Sequence, residues 1–251
     1  MDLGLGGRGY LLTGASRGLG LATARALVDD GARVLISARS ADSVDAAVSS
    51  LGTAASGVPA DLATPEAASD LVTAALDRLA TIDGALISVG GPKPGSVLDT
   101  PEEDWRAGVD SVLLGPLRLV KALVPHLAEG ACIGFVLSTS VRQPLDGLAI
   151  SNGLRPGLAM TAKGLADELG PRGIRVVGIL PGTIATERID EIAAASGDAD
   201  AYHARTEAGI PLGRIGEPAE FGRVAAFLLS PAASYVTGTM VAVDGGRLRS
   251  P

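Results

Sequence analysis

Short apolar runs alternate along the whole chain with segments whose Ala, Leu and Val recur at helical spacing. "GYLLTG" (9–14) leads into an Ala-rich helix over 18–30, and "ARVLISA" (32–38) follows. A helix is expected near 41–50 and a third strand in "ASGVPADL" (55–62). Thr64-Pro65-Glu66 then opens a helix, with a cap residue ahead of a proline at the first helical position. "DGALISVG" (83–90) reads as a fourth strand, and Thr100-Pro101-Glu102-Glu103 has the form of a capping box before a long helix reaching about residue 128. "ACIGFVLST" (131–139), a helix over 152–169, "GIRVVGIL" (173–180), a helix over 217–229 and "TMVAVDG" (239–245) complete the pattern.

These strands do not alternate polar with apolar residues, which is expected when both faces of a sheet are covered. Strand–helix alternation predicts an α/β fold, a doubly wound parallel sheet with helices on both faces. No linker, repeat or low-complexity segment divides the chain, so residues 1–251 are expected to form one domain. The least regular segment, 182–212, follows the sixth strand at the carboxyl edge, where such sheets bind ligands. It is expected to be a substrate lid, with a plain surface insertion as the alternative.

Composition narrows this picture. Of the 251 residues 47% are apolar but only 3% aromatic, so the core must be made of Ala, Val, Leu and Ile. A net charge of −7 repels phosphate backbones and argues against a nucleic-acid partner. Cys132, the only cysteine, lies in an apolar run; a buried inert thiol and a reducing cytoplasm are expected. The first residues lack the basic start and apolar stretch of a signal peptide, and no run of about 18 apolar residues suggests a membrane span. His126 and His203 are isolated, so no metal site is expected.

"TGASRGLG" (13–20) follows the first strand and opens the first helix. Gly14 permits a tight turn, Gly18 a close backbone approach, and Gly20 close helix–strand packing. The free N–H groups at the helix start then suit a pyrophosphate. After the second strand, an NAD site would place an acid for the ribose 2′-hydroxyl, but Ala38-Arg39-Ser40 stands there. Arg17 and Arg39 without an acid suit a 2′-phosphate, which places NADP(H) ahead of NAD(H). Either arginine alone reads more simply as a surface charge.

With these residues the chain resembles the single-domain short-chain dehydrogenase/reductases, most closely their 3-oxoacyl-carrier-protein reductase type. The resemblance spans essentially the whole chain, through "ADL" (60–62), "ELGPRGIRVVGILPGTIAT" (168–186) and "PLGRIGEPAEFGRVAAFLLSPAASYVTGTMVAVDGG" (211–246). It implies a Rossmann-type fold and a small-molecule carbonyl or alcohol substrate. The cofactor-binding set it implies is Gly14, Ser16, Arg17, Gly18, Leu19, Gly20, Arg39, Asp61, Leu62, Gly90, Arg155, Pro181, Gly182, Ile184 and Thr186. Within that set Asp61 would hold the adenine amino group, and the segment from Pro181 to Thr186 would contact the nicotinamide carboxamide. Subunit pairing through the helices over 102–128 and 152–169, and near "VDGG", implies a homotetramer or homodimer.

The catalytic positions depart from the family. Its Asn-Asn-Ala-Gly is Ile87-Ser88-Val89-Gly90 here, and its helix Asn falls at Val112. Ser138 matches the family's serine, but the Tyr position is Ser151 and the Lys position is Arg155. Aligning on Lys163 instead puts Ala159 at the Tyr position and spoils the spacing to "ELGPRG". Pro156-Gly157 suggests that the helix start differs as well.

A serine hydroxyl is a far weaker acid than a phenol of pKa about 10, though it still donates a hydrogen bond. Arg155 keeps a positive charge, yet an arginine pKa of roughly 12.5 prevents it from relaying protons as Lys does. Ser138, Ser151 and Arg155 are thus the expected catalytic set of an NADP(H)-dependent oxidoreductase with a relocated acid. Asp146, Tyr202 and His203 are candidates for that acid, Tyr10 and Tyr235 poorer ones. The alternative is a catalytically silent cofactor-binding sensor or partner subunit. A non-redox reaction is discounted, because family relatives that eliminate halide keep the Tyr and lose the nucleotide loop.

Overall fold

Seven parallel strands form one sheet in the order β3-β2-β1-β4-β5-β6-β7. They are β1 (Gly9–Thr13), β2 (Arg33–Ala38), β3 (Ala55–Pro59), β4 (Gly84–Ile87), β5 (Cys132–Val136), β6 (Arg175–Pro181) and β7 (Thr239–Val243). The helices are α1 (Gly18–Asp29), α2 (Ala41–Leu51), α3 (Ala67–Arg78), α4 (Glu102–Gly108), α5 (Gly115–Leu123), α6 (Ala149–Leu169), α7 (Glu187–Ala195), α8 (Ala199–Ala208) and α9 (Pro218–Leu229). The computed structural model describes residues 2–195 and 197–250. Met1, Ser196 and Pro251, which fall within ranges named above, lie outside the described residues.

Successive strand residues point to opposite faces of the sheet, and both faces are covered. Leu11 and Leu35 join the core built with α3, α5 and α6, whereas Tyr10, Leu12, Val34 and Ile36 join the one built with α1, α2 and α9. Both cores are mainly aliphatic, with Tyr10, Phe135 and Phe221 their fully buried aromatics. The winding reverses at β1, which pairs with β2 on one side and β4 on the other. The crevice beyond the carboxyl ends of β1 and β4 is therefore the topological switch point of the sheet.

Several local expectations give way to other contacts. Thr64 does not cap α3: its hydroxyl donates to the Asp61 carbonyl (2.8 Å), and the helix starts at Ala67. The capping box at Thr100 does not form either, because its hydroxyl donates back to the Ser96 carbonyl and Pro101 becomes the N-cap of α4. In both cases a local turn claims the side chain before the helix can. The long helix expected up to 128 is broken into α4, a π-helical stretch Val109–Leu114, α5 and a 3-10 turn Val124–His126.

The helix expected from 152 begins at Ala149 and continues through Pro156. Its first turn is fastened by Asn152, whose side chain accepts from the Leu145 N–H (3.0 Å) and donates to the Leu145 carbonyl (2.8 Å). Segment 182–212 is more regular than expected, since it contains α7 and α8.

Helices α1 and α9 meet backbone to backbone. A Cβ on Gly222 would lie 2.5 Å from the Ala22 carbonyl oxygen, an atom that cannot yield without moving α1. Gly222→Ala should lower stability by about 1–3 kcal/mol, seen as a fall in the urea midpoint; an unchanged midpoint would contradict this packing.

Candidate functional site

At the end of β1 the Thr13 hydroxyl donates to the Ser88 carbonyl (2.7 Å) and accepts from the Ser88 N–H (3.0 Å). This double contact ties together the ends of the two strands that flank the crevice. Gly14 follows with φ +58°, and a Cβ there would lie 2.7 Å from the Ser88 carbonyl oxygen. Conformation and space both require glycine. A Cβ on Gly20 would come within 2.4 Å of the Gly14 oxygen, so α1 begins directly against the turn. Gly18 faces Thr186, whose Cγ2 lies 3.5 Å from the place a Cβ would take. Arg17 is the N-cap of α1 and supplies no side-chain cap, which leaves the first N–H groups of that helix available to a ligand. Ser16 and Leu19 are half-buried in the turn.

Arg39, just past β2, is exposed and makes no ion pair or side-chain hydrogen bond among the described residues. Ser40 beside it caps α2. Arg17, expected to have no nearby acid, is instead paired across the fold: its guanidinium lies 2.6 Å from Glu187 and 3.9 Å from Glu191, both on α7. Asp61 lies in the turn after β3, where its carboxylate accepts from the Ala63 N–H (3.0 Å); Leu62 next to it is buried. Gly90 is exposed, with open space where a Cβ would project. Pro181 ends β6, the Gly182 N–H donates to the Val243 carbonyl (2.9 Å), and Ile184 is buried in a bridge to Gly216. The predicted cofactor residues thus collect at the carboxyl edge, from the loops after β1 to β6.

Ser138, two residues past β5, accepts from the Ser140 N–H (3.0 Å) and starts a 3-10 turn. Ser151 is buried in the first turn of α6, its Oγ 3.2 Å from the Oγ of Ser140. Ser140 therefore links the two predicted serines, a role not foreseen from the sequence; the string Ser138-Thr139-Ser140 was its only trace. Arg155 lies one helical turn after Ser151, only 6% exposed, and donates to the Val136 carbonyl (2.9 Å) at the end of β5. It has no carboxylate partner among the described residues. Burial first, and the charge of Arg188 second, lower its pKa to about 10. Arg188, on α7, was also missed in the sequence: its guanidinium carbon lies 2.5 Å from where a Cβ of Gly91 would be.

Among the relocated-acid candidates, Asp146 is exposed, and Tyr202 and His203 stack edge to face (centroids 5.8 Å apart) on α8. None of the three is hydrogen-bonded to Ser151 or Arg155 among the described residues. Tyr10 is buried in the core, which pushes its phenol above the ordinary range, and Tyr235 is fully exposed. Val112 is buried in the π-helical stretch, a feature that often marks functional sites. Two linked hydroxyls beside a buried guanidinium can hold an electron-rich oxygen and stabilise negative charge on it.

A glycine-rich turn at the switch point of this sheet defines a Rossmann-type nucleotide-binding architecture. A family model described as enoyl-(acyl carrier protein) reductase matches residues 14–247, and the chain belongs to the short-chain dehydrogenase/reductase family. It is 34% identical over 246 residues to the L-rhamnose 1-dehydrogenase (NAD(P)(+)) of Azotobacter vinelandii, covering 94% of each chain. L-sorbose reductase from Gluconobacter frateurii, solved with NADPH and L-sorbose, superposes with a TM-score of 0.95 at 30% identity, covering 100% of both chains. An NADPH-bound short-chain oxidoreductase from Pseudomonas aeruginosa PAO1, with an atypical catalytic center, gives 0.90 at 28% identity over 97% of this chain and 98% of that one. The 3-ketoacyl-(acyl-carrier-protein) reductase of Brucella melitensis, solved with NADH, gives 0.86 at 30% identity over 97% and 99%.

The Thr13–Ser88 contact should matter beyond its size. Thr13→Val removes a buried donor and leaves the Ser88 backbone without its partner, at a cost of about 1–3 kcal/mol. Thermal unfolding should register that loss; a midpoint equal to wild type would contradict the coupling of β1 to β4.

Proposed function

We propose that this short-chain oxidoreductase uses NADP(H), with NAD(H) the weaker cofactor, and acts on the carbonyl or alcohol group of a small molecule. The observation that carries the reading is the cradle at Gly14, Gly18 and Gly20, where backbone replaces side chains and the first turn of α1 is uncapped. The preference for the 2′-phosphate rests on Arg39, which has no acid partner among the described residues, and on Ala38-Arg39-Ser40 standing where an NAD site would place its acid. Arg17 would complete that site on exchanging Glu187 for the phosphate. The bound cofactor supplies or accepts a hydride at the substrate carbon.

Ser138, Ser151 and Arg155 form the proposed active site, with Ser151 and Arg155 at the family's Tyr and Lys positions. Ser151 would donate a hydrogen bond to the substrate oxygen, Arg155 would stabilise the charge that develops there, and the alkoxide would take its proton from solvent water. At neutral pH Arg155 stays protonated, since burial lowers its pKa only to about 10. Segment 182–212 acts as the lid, with α7 joined to the cofactor turn through Arg17 and Glu187. A cytoplasmic homotetramer or homodimer completes the reading, supported by the buried lone thiol of Cys132 and by exposed Met160 on α6.

The silent alternative draws support from Ser151, whose buried hydroxyl is shared with that of Ser140. NADPH and NADH titrations separate the cofactor question from turnover. Arg39→Glu should weaken NADPH at least about tenfold, the loss of a charge-assisted contact, while NADH changes little. Equal effects on both cofactors would refute the NADP(H) assignment.

A further inference from the structure

Several helical hydroxyls in this protein turn back on their own backbone. Thr23 in α1, Thr73 in α3 and Thr161 in α6 each donate to the carbonyl four residues earlier, at 2.8, 3.0 and 2.9 Å. Ser151, in the first turn of α6, points elsewhere. Its Oγ lies 3.2 Å from that of Ser140, and the two residues are only 5% and 4% exposed. Ser140 is the one side-chain hydrogen-bond partner of Ser151 among the described residues.

Next to this pair is a cavity of about 230 Å³, whose wall includes Ser140, Arg142, Gln143, Pro144 and Asn152. Arg142 and Pro144 are exposed, so the cavity opens to solvent. A water takes about 30 Å³ in the liquid, which leaves room for several. Polar partners for them are at hand. Gln143 makes no side-chain hydrogen bond among the described residues, and Asn152 keeps one N–H and one lone pair after its two bonds to Leu145. Ser140 belongs to both places: its hydroxyl reaches Ser151, and the residue forms part of the cavity wall.

Hydride addition leaves a carbonyl oxygen charged and in need of a proton. Ser151 can give one, but a serine left without its proton is a strong base, so the loss must be made good in the same event. Arg155 donates to the Val136 carbonyl and holds its own proton too tightly to pass it on at neutral pH. We propose that Ser140 and the cavity form the route by which solvent delivers the proton, a reading that rests on the oxidoreductase assignment. A hydroxyl donates once and accepts twice, so a chain from cavity water through Ser140 and Ser151 to the substrate is allowed. In one concerted event the substrate oxygen takes the Ser151 proton, the Ser151 oxygen takes that of Ser140, and the Ser140 oxygen takes one from a cavity water. Both serines end as they began, and the hydroxide left behind passes out to solvent. The carbonyl gains one hydride and one solvent proton. Ser140 acts through Ser151 and is a positioning residue.

The test uses the full-length protein with NADPH and L-sorbose, the ketone bound by a structural relative, or else the first carbonyl compound of a panel that the wild type reduces. NADPH oxidation in a single turnover is followed in mixtures of light and heavy water. The wild-type rate should fall with deuterium content along a bowl-shaped curve, the sign of more than one proton in motion. Ser140→Ala should lower the rate at least about tenfold and give a straight line. Its NADPH affinity should stay within about twofold of wild type. Ser140→Thr, which keeps the hydroxyl, should recover rate and curvature together. A residue that only held Ser151 in place would alter the rate and keep the bowl shape. A crystal structure should also show a water within hydrogen-bond reach of Ser140 Oγ. The inference is overturned by a straight line in wild type, by wild-type curvature in Ser140→Ala, or by a dry cavity. Should Ser140→Ala not fold, the wild-type curve and the crystal structure still decide. Wild type that binds NADPH yet reduces no carbonyl compound would instead strike the oxidoreductase reading, and the relay with it.

Discussion

Three backbones meet at the end of β1 with no room for side chains between them. The Gly14 turn lies against the Ser88 carbonyl, α1 starts against the Gly14 carbonyl, and Thr13 clasps Ser88 from within the strand. From this meeting point the rest of the carboxyl edge takes its positions. It sets where α1 begins, hence where its uncapped N–H groups lie, and it fixes the spacing of the crevice between β1 and β4. The loop after β6 then closes the far side, with Thr186 against Gly18 and α7 held by Arg17.

Beyond that point the site divides into two electrostatic regions. Near β2, Arg39 is exposed and has no ion-pair partner among the described residues, so water screens its charge. Near β5, Arg155 is enclosed, and the same unit charge acts through a medium of lower effective dielectric. The first suits recognition of a cofactor group that comes and goes. The second suits stabilising charge during a reaction, where donors already in place need little reorganisation. The linked hydroxyls of Ser140 and Ser151 supply hydrogen bonds beside that charge but no strong acid.

Much of this was legible in the sequence because it depends on local patterns. Covered strands read as unbroken apolar runs, and the glycine turn shows itself as a motif between a strand and a helix. The doubly wound sheet and the family follow from these. What escaped depended on competition between contacts. Thr64 and Thr100 have the right spacing for caps, but their hydroxyls turn to the carbonyls of Asp61 and Ser96. The regularity of α8 was hidden by its polar composition, for a surface helix needs no strong apolar stripe. Arg188 and Ser140 were missed because their significance lies across the fold, against Gly91 and Ser151, and nothing in their immediate sequence marks it.

The central claim is that hydride transfer persists in a site that has hydroxyls and a guanidinium in place of a phenol and an amine. Its most direct test is isotopic: incubation with NADPH deuterated at the reactive C4 position and a panel of carbonyl compounds, followed by mass spectrometry of the products. The account predicts deuterium on the carbinol carbon of at least one product, with the yield reduced in Ser151→Ala. Tight NADPH binding with no label in any product would contradict it.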